Sequence, residues 1–316
     1  MVEIFDNLTK KLYEYKNVLV ISHKNTDLDG LISSIVVCKI AREFKKNSFV
    51  YLNADNEINS KIDYLKDKDY ISNDCSKFTP DETLLVILDT NSKHYVEDET
   101  LLDIYKHVVL IDHHNKSGDY IKELEMSYVN GNLSSIIEFM VYYLNHLSFK
   151  IDEELATLML AGLEIDTNSF NLKTTPETYK AAGHLIEMGA SPIAKQQILR
   201  ESREDVLKRY ELLKESYVYK EIVSICVLDQ DLHTPTELAQ VVDDLLSFKN
   251  IEIAFCIGLI SQDVVRISIR TLGKYNAQEI ASKFGGGGSL TSAAANIECS
   301  LKEAEENVKE MVGEII

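Results

Sequence analysis

Three stretches of this chain, NVLVIS (17–22), LLVILDT (84–90) and HVVLIDHH (107–114), are nearly unbroken apolar runs whose polar residues gather at the C-terminal end. Strands of that kind are buried on both faces, the condition of a parallel sheet held between two layers of helices. The intervening segments agree. An amphipathic helix in MVEIFDNLTKKLYEYK precedes the first strand, and the apolar-periodic helix LISSIVVCKIAREF and a strand in NSFVYLN (47–53) follow it. The polar stretch from Ala54 to Pro80 reads as loop with a short helix, and MSYVN (126–130) as a further strand. Helices then fill 133–147, 153–167 and 176–190. Such alternation predicts an α/β fold with a parallel sheet and helices on both faces. Ligands of these sheets bind beyond the carboxyl ends of the strands.

The residues expected on that rim are acids and histidines. SHKNTDLDG supplies His23, Asp27 and Asp29; LLVILD ends in Asp89; VVLIDHH ends in Asp112, His113 and His114. GLEIDTNSF sets Asp166 at the end of an apolar helix. Singly, each has an ordinary explanation, because strand-end carboxylates cap helices and form turns. Jointly, separate strand ends would have to bring acids and imidazoles to one rim by chance. Carboxylates with imidazoles and no thiolate suit Mn, Fe, Co or Zn, whereas an all-oxygen set favours Mg. The acids are too many for one ion, and without metal they would raise each other's pKa. Two ions about 3.5–4 Å apart, bridged by one carboxylate, would hold such a cluster. Asp89 is the expected bridge, since its strand lies between the other two clusters. His23 and Asp27 would serve one ion, and Asp29, His113 and Asp166 the other. A hydroxide between the ions would attack phosphorus.

Composition narrows the partners. The chain has 316 residues, 45 % hydrophobic and 27 % charged, enough for one large domain or two ordinary ones. With 51 acidic against 33 basic residues and a net charge of -18, it has no general attraction for duplex nucleic acid or an anionic membrane. A small anionic substrate stays open, because a bound divalent metal reverses the local field. Cys38, Cys75, Cys226, Cys256 and Cys299 lie far apart with no CxxC pair, so reduced thiols are expected rather than a zinc site. No apolar run reaches the length of a membrane span, and the N-terminus carries acids instead of a signal pattern. The expectation is a free cytoplasmic protein.

The organisation expected is a first domain over 1–190, a charged helical connector over 191–218 and a second domain over 219–316. In the second, EIVSICVLD and IEIAFCIGLI read as strands around the helix PTELAQVVDDLL. DVVRISIRT alternates strictly, with Val265, Ile267 and Ile269 on one side and Arg266, Ser268 and Arg270 on the other. The result is a smaller mixed sheet packed on helices. The glycine run at 285–288, set between helix signals in YNAQEIASKF and LTSAAANI, reads as a turn that approaches a phosphate, with the following helix N-terminus adding donors. Gly286, Gly287, Gly288 and Ser289 are the expected contacts. Arg270 is the expected bidentate clamp, with Arg266 the weaker choice. The apolar helix IIEFMVYYL serves equally as a homodimer interface or as a core face.

SHKNTDLDG and IDHH resemble the motifs of the DHH phosphoesterase superfamily, and the second domain resembles its DHHA1 domain, over about residues 15 to 300. LAGLEIDTNSFNLKT and GGGGSLTSAA are most similar to the catalytic part of the membrane-bound, GdpP or YybT type cyclic-di-AMP phosphodiesterases, here as a stand-alone soluble form. The resemblance implies manganese, two Mn(2+) per chain, on His23, Asp27, Asp29, Asp89, His113 and Asp166. It leaves His114 to orient the metal shell or touch the scissile phosphate, and Asp112 to brace the loop. Relatives carry a histidine where this chain has Ser289, which can donate a hydrogen bond but carries no charge. The implied reaction is hydrolysis of cyclic di-AMP to pApA. The alternatives are hydrolysis of pApA or of RNA of two to five nucleotides to mononucleotides (a nanoRNase), and a non-catalytic nucleotide sensor, which would be expected to have lost a metal ligand.

Overall fold

The computed structural model describes residues 1–53, 69–116 and 118–316, apart from the side chains of Asp229 and Gln230. Two compact units result, Met1–Arg200 and Glu201–Ile316.

The strands of the first unit are β1 (Asn17–Ile21), β2 (Asn47–Tyr51), β3 (Ile71–Ser72), β4 (Thr83–Leu88), β5 (His107–Asp112) and β6 (Met126–Val129). Its helices are α1 (Val2–Glu14), α2 (Leu28–Glu43), α3 (Thr100–Ile104), α4 (Ile136–Leu147), α5 (Glu153–Asp166), α6 (Pro176–Glu187) and α7 (Pro192–Ile198). The strands pair in the order β3-β2-β1-β4-β5-β6, every neighbour parallel. The two-residue period of a strand explains the unbroken apolar runs. Val18, Val20, Leu84, Val86, Val109 and Ile111 face the core shared with α1, α2, α4 and α5. Leu19, Ile21, Leu85, Ile87, Val108 and Leu110 face the opposite core around Leu101 and Tyr105. The sheet is therefore covered on both faces. Strand order reverses between β1 and β4, so the chain leaves their carboxyl ends in opposite directions and opens a crevice there.

The short helix expected between Ala54 and Pro80 falls largely outside the described residues, and β3 was not expected. The apolar helix α4 turns Ile136, Ile137, Phe139, Met140, Val141, Tyr143 and Leu144 into the core.

The second unit contains α8 (Arg203–Leu213), β7 (Ser216–Tyr219), β8 (Val223–Leu232), α9 (Pro235–Leu246), β9 (Ile253–Ser261) and β10 (Val264–Thr271). It continues with α10 (Ala277–Ser282), β11 (Gly287–Gly288), β12 (Ser292–Ile297) and α11 (Leu301–Ile315). Its sheet runs β11-β12-β10-β9-β8-β7 and is mixed: β8 and β9 are parallel, the other pairs antiparallel. Val265, Ile267 and Ile269 enter a core with α10 and α11, while Ala254, Cys226 and Cys256 lie under α9. All five cysteines are free thiols. Of the residues expected as a connector, α7 belongs to the first unit and α8 to the second.

One expectation is overturned. LTSAAANI is not a helix but the loop leading into β12 and the strand itself, paired with β10 from Arg270↔Ser292 to Val265↔Ile297. Alanine prefers helix, yet β10 offers a full row of backbone partners, and tertiary pairing outweighs that weak preference. No helix N-terminus therefore follows the glycine run.

Outside the crevice, Glu125 fastens α1 to the sheet. It accepts from Lys11 Nζ at 2.7 Å and Tyr15 Oη at 2.7 Å, with His107 Nδ1 at 2.6 Å. Partial burial opposes its ionisation, but Lys11, Tyr15 and His107 outweigh that and hold its pKa down at about 2 against an ordinary 4.5. A depressed carboxylate contributes stability above its unfolded pKa and loses it as pH falls through the folded value. In urea titrations, Glu125→Gln should be less stable than the parent at neutral pH, with the gap closing from about pH 5 downward. A gap independent of pH would contradict this reading.

Candidate metal centre

The loop between β1 and α2, with the first turn of that helix, places three of the predicted residues. His23 Nδ1 donates to the Lys24 carbonyl at 2.9 Å, which leaves Nε2 facing the crevice, 3.5 Å from Asp89 Oδ2 and 3.8 Å from Asp27 Oδ1. Asp27 caps α2, its Oδ1 accepting from Gly30 N at 3.1 Å. Asp29, in the first turn of α2, is fully buried and accepts from Ile136 N and Ile137 N at 2.8 Å each. Those amides are the N-terminus of α4, where unsatisfied donors and the helix dipole favour an anion.

Asp89 follows β4 with φ at +63°, the left-handed region that costs a non-glycine residue about 1–3 kcal/mol. That backbone turns its carboxylate into the middle of the crevice. Oδ1 lies 3.1 Å from His113 Nε2 and 3.7 Å from His114 Nδ1, while Oδ2 faces His23. His113, at the end of β5, is buried, and its Nε2 also stands 3.5 Å from Asp166 Oδ2 and 3.9 Å from Asp29 Oδ2. Asp166, the last residue of α5, completes the ring from the helical side. The sequence-predicted metal residues are thus brought together in three overlapping groups, each with its donor atoms within 4.8 Å of one another. These are His23, Asp27 and Asp89; Asp89, His113 and His114; and Asp29, His113 and Asp166.

The electrostatics are those of carboxylates crowded in a buried space. Burial raises the pKa of Asp29 and Asp166 well above the carboxylate range, and the surrounding acids add to it. Burial works against a proton on His23, but Asp27 and Asp89 more than offset it and raise its pKa well above the usual value. Burial lowers the pKa of His113, helped by His114, so that ring is neutral. Asp89 is ionised: burial opposes its charge, and His113 and His23 overcome it. Asp89 Oδ1 and His113 Nδ1 are buried and have no hydrogen-bond partner among the described residues, although Oδ1 is so close to His113 Nε2. Orphaned buried atoms of this kind call for a ligand. The donor set, nitrogen and oxygen without sulfur, fits a pair of divalent cations, which would relieve the repulsion and take the place of the His23 proton.

Asp112 braces the centre from behind. Fully buried, it accepts from His114 N at 3.2 Å and lies 2.8 Å from His114 Nδ1, while its other oxygen accepts from Asn91 Nδ2. Burial resists ionisation of Asp112, and His114 reverses the balance and lowers its pKa. Asn91 Nδ2 also reaches the Asn115 carbonyl at 3.1 Å. Sequence reasoning missed Asn91, whose signal was its position two residues after Asp89, and Gly30. A Cβ on Gly30 would stand 2.3 Å from Ser22 Oγ, 2.7 Å from Thr26 Oγ1 and 3.1 Å from Asp89 Oδ2.

In the second unit the predicted contacts are largely engaged within the fold. Arg270 pairs with Asp243 of α9, Nε to Oδ1 at 2.7 Å. Added Cβ atoms on Gly286 and Gly288 would strike Ala294 O at 2.2 Å and Ser292 O at 2.4 Å, so these glycines let β11 approach β12. Gly287 is open on the glycine run, and the Ser289 hydroxyl donates to Ser292 O at 3.2 Å.

Comparison with known proteins follows this division. The DHH family, N-terminal domain, matches residues 17–163, and the DHHA1 domain matches 215–316. The chain belongs to the DHH/DHHA1 phosphoesterase superfamily. The cyclic-di-AMP phosphodiesterase GdpP of Bacillus subtilis is 32 % identical over 317 residues, 95 % of this chain and 48 % of that protein. The chain spans about half the length of the GdpP relatives it matches. The bifunctional oligoribonuclease and PAP phosphatase NrnA of Bacillus subtilis is 24 % identical and aligned over 92 % of both chains. In fold, an exopolyphosphatase-related protein from Bacteroides fragilis superposes with a TM-score of 0.83 at 19 % identity, covering 99 % of this chain and 96 % of that one. Among the described residues no helix is long and apolar enough to cross a membrane.

Within this DHH centre, Gly30→Ala should lower divalent-metal affinity at least about 10-fold, because Ser22, Thr26 or Asp89 must move. Calorimetric titration of the metal-stripped chain checks this; parent-like affinity would show that the close packing at Gly30 does not set the position of Asp89.

Proposed function

We propose that this chain is a manganese-dependent phosphodiesterase that hydrolyses cyclic di-AMP to pApA. The observation that carries the reading is the shared position of Asp89, a member of both the His23 group and the His113 group. Two divalent ions bound there would supply a nucleophile from water at neutral pH and neutralise charge developing on the phosphoryl oxygens. His23 and Asp27 would hold one ion and Asp29, His113 and Asp166 the other, with Asp89 between them. His114, its ring partly exposed and its Nδ1 held by Asp112, is oriented to meet the scissile phosphate from the open side. The second unit, Glu201–Ile316, would supply nucleotide contacts of its own. Gly287 is its best-placed contact, whereas Arg270 would first have to leave Asp243 and Ser289 its own turn. The GdpP relatives support the cyclic substrate.

A second reading, hydrolysis of pApA or short RNA to mononucleotides, is supported by the near full-length match to the oligoribonuclease. A non-catalytic sensor is disfavoured by the complete set of six donors.

Manganese-reloaded protein should be incubated separately with cyclic di-AMP, pApA and a pentaribonucleotide, and the products resolved over time. Accumulating pApA is the expected result; rapid AMP from pApA with slow ring opening would select the second reading. Asp89→Ala should lower hydrolysis at least about 1,000-fold with the fold retained. Retained activity would remove Asp89 from the bridging role.

A further inference from the structure

The turn between β4 and α3 is tied down on two sides. Towards the loop that carries His23, Lys24 N donates to Tyr95 O at 2.8 Å and Glu97 N to Ser22 O at 2.9 Å, and His23 and Val96 form an antiparallel bridge. On the other side, Ser92 Oγ and His94 N both donate to Asp119 Oδ2, at 2.6 and 2.9 Å. Val96 then enters the core beside Leu101 and Tyr105. Backbone fixed in this way also fixes where its side chains begin.

Those side chains divide by chemistry. Lys93 and His94 are exposed, and His94 Nδ1 lies 3.0 Å from Glu99, as suits a solvated turn. Tyr95 does not fit that pattern. Its side chain is 57 % exposed, and among the described residues its hydroxyl has no hydrogen-bond partner. Neither the apolar body nor the polar tip of this tyrosine is used within the fold. A lone exposed aromatic is ordinary, but this one has a particular neighbour. Its ring centroid lies 6.4 Å from that of His23, with the planes at 37°. Among the described residues no other Tyr or Phe ring lies against a histidine of the candidate centre. The His23 ring is itself held, Nδ1 by the Lys24 carbonyl and Nε2 towards Asp27 and Asp89. An open aromatic surface is thus fixed at the edge of the crevice, beside the His23 group. A nucleotide that brings a phosphate to this group carries its base one sugar away, and every base has a face that stacks on an aromatic side chain.

We propose that the Tyr95 ring is a stacking surface for a nucleobase of the substrate, on the His23 side of the crevice. The proposal deepens the phosphodiesterase reading above, and its test separates the two. The chain contains no tryptophan, so Tyr95→Trp places a single indole at this position. The manganese-loaded variant is titrated with AMP and with ribose 5-phosphate, which shares the sugar and phosphate but lacks the base. AMP should quench the indole fluorescence to saturation, and ribose 5-phosphate should leave it unchanged. In calorimetric titrations Tyr95→Leu should bind AMP about 10-fold more weakly than the parent, with ribose 5-phosphate affinity, manganese content and Tm unchanged. Tyr95→Phe should match the parent, because the hydroxyl is unused. On cyclic di-AMP and pApA, Tyr95→Leu should lose about 10-fold in kcat/KM. A ring that merely packs on His23 would alter manganese content and both ligands alike, and that result would overturn the assignment. An indole that AMP does not quench, or parent-like AMP affinity in Tyr95→Leu, would also overturn it, while hydrolysis by the parent would leave the proposed function standing. If the parent hydrolyses neither dinucleotide, the proposed function falls and the AMP titrations decide alone: base-dependent quenching supports Tyr95 as a stacking surface, and its absence overturns it.

Discussion

Carboxylates crowded into a buried space repel one another, and in this chain Asp27, Asp29, Asp89 and Asp166 converge on the ends of β1, β4 and α5. Hydrophobic burial fixes the strands and helices, but it gives no reason for these acids to share a crevice. Each must be held there by a specific device. Asp29 is held by the two amides at the start of α4, and Asp27 by its cap on α2. Asp89 depends on a left-handed backbone and on the space that Gly30 leaves open. Bound divalent cations would relieve the repulsion that remains, so the crowding of these acids and an affinity for cations would have the same origin.

The scaffold explains why the devices can be so local. A parallel sheet with strand order β3-β2-β1-β4-β5-β6 brings β1 and β4 side by side while their following segments part. Loops from two distant parts of the sequence therefore meet without crossing. Asp112 and Asn91 join the β5 and β4 loops behind the site, so His113 and His114 are positioned by a hydrogen-bonded brace as well as by their strand.

Much of this was legible in the sequence because burial on both faces leaves a plain mark. The strands at 17–22, 84–90 and 107–114 could not be amphipathic, and their polar ends could lie only on the rim. The six candidate donors followed from chemistry once the rim was known. What was not legible depended on partners remote in sequence. The Ala-rich segment became β12 because β10 was there to pair with it, and no local preference announces such a partner. Arg270 reads as a free clamp from its alternation, but Asp243 of α9 lies over it. Gly286 and Gly288 read as a phosphate turn, and close strand approach accounts for them equally well. Gly30 and Asn91 do their work through contacts to Ser22, Thr26 and Asp112, which spacing alone does not reveal.

The most direct test of the account is anomalous scattering from crystals of the manganese-loaded chain, which locates the ions independently of any assay. Two peaks about 3.5–4 Å apart, one beside His23 and Asp27 and the other beside Asp29, His113 and Asp166, with the Asp89 carboxylate touching both, are predicted. A single peak, or two peaks that Asp89 does not join, would contradict it.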